Sequence, residues 1–253
     1  MNLKTSLVLS TLVLLFMNIS HADELHKIVH VRNNIYEVQY DCSNKGYLYF
    51  STHLDADTGS VARVKPFHQE TSLPKECQPT SINAYNDVNG VSYDRGHGVS
   101  SNAWDDSTEH MTITNSTANI VPQESKLNRH GPWRQMEVLE NCVRNIEKGG
   151  IDVIGGAIYS FGALRIPNTN NTIPDFLWKI IIFNDSQKTI SLLVPNTSLA
   201  GTGQMKSYIT NKTTIIEKVQ PEVQKFITAN DIMKFRDVNT ETELVVPKGC
   251  NKN

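Results

Sequence analysis

Asp94-Arg95-Gly96-His97, then Asn119-Ile120-Val121-Pro122-Gln123, then Leu127-Asn128, then Trp133 and Glu137: this ordered series decides how the chain is read. It sets a histidine beside an arginine at the end of a strand, then an amide-rich stretch, then a helix bearing a carboxylate. The chain holds 8 histidines, so a histidine alone says little. What marks His97 is its neighbours. Arg95 can grip a phosphate through its bidentate fork, and Gly96 lets the backbone come close to a partner. An imidazole near its ordinary pKa is a usable general base at neutral pH.

Working outward, a helix starts with Pro132 in its first turn and ends before Gly149-Gly150. Trp133, Met136, Leu139, Val143 and Ile146 form its buried stripe, with Arg134, Glu137 and Glu140 on the other face. Upstream, Ile35 to Tyr40 and Gly46 to Leu54 read as paired strands, and the Pro-, Ser- and Asn-rich run from Pro66 to Gly90 as a long surface loop. Downstream, Ile151 to Ile158, Trp178 to Phe183 and Thr189 to Val194 read as strands, the last two joined by the turn Asn184-Asp185-Ser186-Gln187. No repeat or linker divides the chain, which predicts one mixed α+β domain over residues 23–253.

At 253 residues the chain can bury a full core. A net charge of −2 excludes a basic coat, so a nucleic-acid partner would have to be met at a local site. With 10 prolines and 14 glycines, and no long apolar run beyond the N-terminus, collagenous, largely disordered and membrane-spanning classes are excluded. Residues 1–22 have the form of a cleaved signal peptide: Lys4, an apolar stretch from Leu7 to Met17, then Ser20-His21-Ala22. This predicts a secreted or periplasmic protein with no membrane contact after cleavage. Cys42, Cys77, Cys142 and Cys250 then read as two disulfides, preferably Cys42 with Cys77 and Cys142 with Cys250.

The series from Asp94 to Glu137 resembles the DNA/RNA non-specific endonucleases, whose ββα-metal core carries a D-R-G-H motif. Val153-Ile-Gly-Gly-Ala-Ile-Tyr159, Ile173-Pro-Asp175 with Trp178-Lys179, and Leu193-Val-Pro-Asn196 resemble further strand signatures of that family, over roughly residues 35–235. The resemblance implies an α+β fold in which a ββα-metal nuclease core sits on a mixed, mainly antiparallel sheet with flanking helices. It also implies an endonuclease that acts on DNA and RNA without sequence specificity, leaves 5′-phosphate ends, and uses Mg²⁺ with Mn²⁺ as a substitute. His97 would be the general base and Asn128 the direct metal ligand. Glu137 would orient metal-bound waters, and Arg95 would stabilise the scissile phosphate. Arg63 matches an additional phosphate-binding arginine, and Asn119 a further active-site amide holding both loop and substrate. The spacing from Asn128 to Trp133 is one residue longer than is common in the family, so a shift of the helix entry is expected. A homodimer is left open.

Other readings stand beside this one. The alternatives in function are a catalytically silent nucleic-acid-binding protein on the same scaffold and a phosphodiesterase restricted to one nucleic acid. Asp55-Ala-Asp57-Thr-Gly59 lacks the later ligands of a calcium loop and reads as a hairpin turn. His110 and His130 do not stand at zinc spacing with His97. Tyr47, Tyr49 and Trp133 read as packing residues, with base stacking the alternative, and Asn115-Ser-Thr and Asn196-Thr-Ser are sequons.

Overall fold

A computed structural model describes residues 27–229 and 231–239. The expected signal peptide at residues 1–22 and the half of the second disulfide carried by Cys250 lie outside the described residues.

The chain begins with strands β1 (Ile28–Arg32), β2 (Glu37–Asp41) and β3 (Gly46–Leu54). The excursion that follows carries β4 (Tyr93–His97), α1 (Thr108–Thr114), β5 (Ile120–Glu124), α2 (Ser125–Arg129) and α3 (Pro132–Val143). The sheet resumes with β6 (Ile151–Ile158), β7 (Phe176–Phe183) and β8 (Lys188–Pro195). The chain closes with α4 (Ser198–Gly201), β9 (Ile209–Thr210), α5 (Lys212–Lys218), α6 (Pro221–Ala229) and β10 (Arg236–Val238). The main sheet runs β1-β2-β3-β6-β7-β8-β10 with β9 beside β8, all antiparallel except β10 on β8. β4 and β5 form a separate antiparallel pair. This is the expected α+β architecture with a ββα unit set on a mainly antiparallel sheet.

Alternation along β7 divides the interior into two cores. Leu177, Ile181 and Phe183 face the side packed by β5 and α3, and Trp178, Ile180 and Ile182 face α5 and α6. The period of two therefore turns Lys179 toward α3. There its Nζ meets Glu140 Oε1 at 2.7 Å and lies 4.4 Å from the Trp133 ring centroid. Glu140 and Glu137, expected on the outward face of the helix, are both buried. α3 is also shorter than its apolar spacing suggests. It ends at Val143, and Ile146 is exposed. Arg144 turns inward to the Ala103 carbonyl and Asp57, and the Asn145 side chain accepts from the Asp57 N–H, so the chain leaves the helix to meet the 55–59 loop. That loop is no hairpin turn, because β3 pairs with β2 and β6 and the next strand lies in the other sheet.

The long 66–90 segment has no strand of its own, as expected of a loop. It is fastened by the Cys42–Cys77 disulfide, which ties a short turn at Lys75–Cys77 to the end of β2. No helix among the described residues is long and apolar enough to cross a membrane.

Candidate active site

β4 and β5 pair with His97 opposite Ile120, Gly96 opposite Val121 and Asp94 opposite Gln123. The Gln123 side chain crosses Gly96 so closely that any Cβ at residue 96 would collide with it, which explains the glycine of the motif. β5 passes straight into α2, whose first turn is capped by the Glu124 carboxylate on the Leu127 N–H. α2 delivers Asn128, and α3 delivers Glu137. His97, Asn128, Glu137 and Arg63 line one cleft of about 300 Å³, together with Arg129, Arg134 and Ser100. His130 and Gly131 join the two helices, and Gly131 lies so close to the Gly201 carbonyl that a Cβ there would crowd it. Asn128 and Glu137 still face the same space.

His97 is held in a defined proton arrangement. Its Nε2 lies 2.9 Å from Asn115 Oδ1. The Asn115 amide is oriented by its own NH₂, which donates to the carbonyls of Val64 at 3.0 Å and Pro66 at 3.1 Å. The oxygen therefore faces the imidazole, Nε2 carries the proton and donates it, and Nδ1 keeps its lone pair. Burial lowers the His97 pKa to about 4, the charges of Arg63 and Arg95 push the same way, and the Asn115 hydrogen bond opposes them. The ring is thus neutral at physiological pH, the state a general base requires. Asn115 was visible in the sequence only as a sequon. Both it and Asn196 are buried, which removes them as glycosylation sites.

Asp94 organises the side of the cleft that carries Asn128. Its carboxylate accepts from Asn128 Nδ2 at 3.0 Å and from Arg129 Nε and Nη2 at 2.8 and 2.6 Å. Burial pushes the Asp94 carboxyl up, but the hydrogen bonds and charge of Arg129 and the Asn128 amide hold it below the usual range. With Nδ2 committed to Asp94, Asn128 has its amide oxygen left to offer. Glu137 has one oxygen, Oε2, on Arg134 Nη1 at 3.2 Å. An amide oxygen and a carboxylate oxygen at one cleft form a hard donor set that leaves room for waters, and so fits Mg²⁺ or Mn²⁺. No group of three His, Cys, Asp or Glu side chains able to hold a metal is present among the described residues. His110 pairs with Asp106 and Asn34 instead.

Two expected residues stand elsewhere. Asn119 is fully buried, and its amide is spent on the backbone of Val99 and on the Thr114 carbonyl. It braces the turn after His97, the loop-holding part of its expected role. Arg95 is not among the side chains lining the cleft. Its guanidinium lies 4.0 Å from the Phe67 ring centroid and Nη1 donates to the Ile82 carbonyl at 2.6 Å. Tyr47, Tyr49 and Trp133 are buried in the two cores, as packing residues. Arg129 and Arg134 line the cleft without having been expected as site residues. The one signal for Arg129 was its place directly after Leu127-Asn128.

A family model described as DNA/RNA non-specific endonuclease matches residues 23–240. Among solved structures, a chain in the crystal structure of the EndoG/EndoGI complex, a study of the mechanism of EndoG inhibition, is similar to this one. The identity is 20%, with 75% of this chain and 82% of that chain covered and a TM-score of 0.62. No curated protein matches.

Proposed function

As a member of the DNA/RNA non-specific endonuclease family the chain is a nuclease, and we propose that it hydrolyses phosphodiester bonds of DNA and RNA without sequence preference, with Mg²⁺ or Mn²⁺ as cofactor and 5′-phosphate products. The observation that carries this reading is the convergence of a tautomer-fixed His97 with Asn128 and Glu137 on one cleft.

His97 Nδ1 takes the proton of the attacking water, while Asn115 holds the ring and favours the imidazolium that forms. Asn128, steered by Asp94, and Glu137 would hold the cation and its waters. A bound divalent ion supplies positive charge to the phosphate and to the departing 3′ oxygen. Arg63, which lines the same cleft, would hold the phosphate, and Asn119 keeps the His97 turn in place. The cleft offers arginines and a metal site to the sugar-phosphate backbone, which is the basis for cutting without reading bases. We further propose that residues 1–22 direct export, that residues 23–253 form one domain, and that the mature chain works in the periplasm or outside the cell, where its disulfides are stable.

The test is incubation of the mature protein with plasmid and with RNA, each with Mg²⁺ and with chelator, beside His97→Ala. Cleavage of both by the unaltered chain, lost with chelator and in the variant, is expected. Full activity of His97→Ala would overturn the reading. Retardation without cleavage would favour a binding protein, and cleavage of one nucleic acid alone a restricted phosphodiesterase.

A further inference from the structure

Arg134 stands one helical turn before Glu137 on α3 and lines the same cleft. Its hold on Glu137 is a single contact of 3.2 Å to one carboxylate oxygen, with the side chain 32% exposed. Its neighbour Arg129 is held differently, by a two-pronged grip of 2.8 and 2.6 Å on Asp94. Of these two neighbours, Arg129 is held by two hydrogen bonds and Arg134 by one, so Arg134 is the more readily exchanged. The oxygen that Arg134 occupies belongs to the carboxylate that would receive the waters of a divalent ion. A guanidinium and a hydrated dication on one carboxylate repel each other, strongly where a cleft wall lowers the local dielectric. An entering phosphate is the acceptor best matched to a displaced guanidinium.

We propose that Arg134 is a metal-responsive phosphate clamp: it pairs with Glu137 when no divalent ion is bound and transfers to a substrate phosphate when Glu137 turns to the ion's waters. Metal and nucleic acid then strengthen each other's binding, and by linkage the effect is reciprocal. The inference rests on the metal reading of Asn128 and Glu137 given above.

The test measures Mn²⁺ affinity by calorimetric titration of the mature chain carrying His97→Ala, which prevents turnover, with and without a short DNA duplex. With Arg134 present, DNA should tighten Mn²⁺ binding by about tenfold, within the usual range of coupled sites. Adding Arg134→Gln removes the competing cation, so Mn²⁺ alone should bind about three- to tenfold more tightly, and the tightening by DNA should shrink by a similar factor. Arg134→Lys keeps the charge but not the fork. It should leave the affinity for Mn²⁺ alone within about twofold and reduce the coupling by about threefold. Unchanged or weaker Mn²⁺ binding in Arg134→Gln, or coupling in Arg134→Lys equal to that of the parent, overturns the clamp while the metal site stands. Absence of Mn²⁺ binding with Arg134 present overturns the metal reading, and the clamp with it.

Discussion

At His97 the proton inventory is set by an amide 18 residues away in the chain. Removing it in Asn115→Ala leaves the ring free to rotate and to change tautomer. Since a positioned general base contributes about 10²–10⁴-fold, loss of its positioning should lower kcat by roughly 10–100-fold with KM little changed. Steady-state kinetics on a defined duplex checks this, and a change confined to KM would contradict it. The burial that lowers the His97 pKa to about 4 also has a direction in pH. Because the base form prevails above that value, kcat/KM should fall on the acid side well below the ordinary histidine range near 6.5. The same shift makes protonation oppose folding, since the unfolded chain takes up the proton first as pH falls. Stability attributable to His97 is present above about 6.5 and is lost between about 6.5 and 4. Asn115→Asp places a negative charge against the ring and should move the acid limb upward. His97, Asn128 and Glu137 were legible because they sit in an ordered motif. Asn115 was not, because its role exists only once the segment before Asn119 is folded over β4.

α3 shows the same limit at the scale of an element. Its apolar stripe at Trp133, Met136, Leu139 and Val143 is buried as the 3.6-residue period requires. The period counts apolar residues, however, and so placed Glu140 outside. Glu140 is buried because β7 brings Lys179 against it, a pairing that arises only when helix and sheet are in register. Burial raises the Glu140 carboxyl and the Lys179 charge draws it back, so the two groups support each other. Glu140→Gln would strand a buried ammonium over the Trp133 ring and should cost about 3–5 kcal/mol. The double variant Glu140→Leu with Lys179→Met removes both charges and should recover most of that loss. Urea unfolding of the three proteins decides this, and a double variant no more stable than the single would show that the pair itself supplies the stability. The ββα unit and the mainly antiparallel sheet were foreseeable from the family series. The end of α3 was not, because Arg144 and Asn145 leave the helix for partners in the 55–59 loop, which no local pattern announces.

On the scale of the molecule, a net charge of −2 conceals where the charge lies. Composition excluded a basic coat but could not reveal that Arg63, Arg129 and Arg134 gather on one cleft while Arg95 turns to Phe67. Arg129 is largely balanced by Asp94, and Arg134 by Glu137, so the free protein should steer nucleic acid weakly over distance. Contact is another matter, because each guanidinium that reaches a phosphate releases counterions from the duplex. With Arg129 held on Asp94, two such contacts, from Arg63 and Arg134, give a slope of log K against log salt of about −2, from about −0.9 per phosphate on double-stranded DNA. Binding of His97→Ala to a duplex, measured across a salt series in the presence of Mg²⁺, should show this slope. Arg63→Gln should make it shallower by about one unit, since among the described residues Arg63 has no carboxylate partner that would mask its contribution. A slope near zero would mean that Arg134 stays with Glu137, that Arg63 does not reach a phosphate, and that the metal alone holds the substrate. A slope beyond about −6 would require a second basic surface outside the cleft.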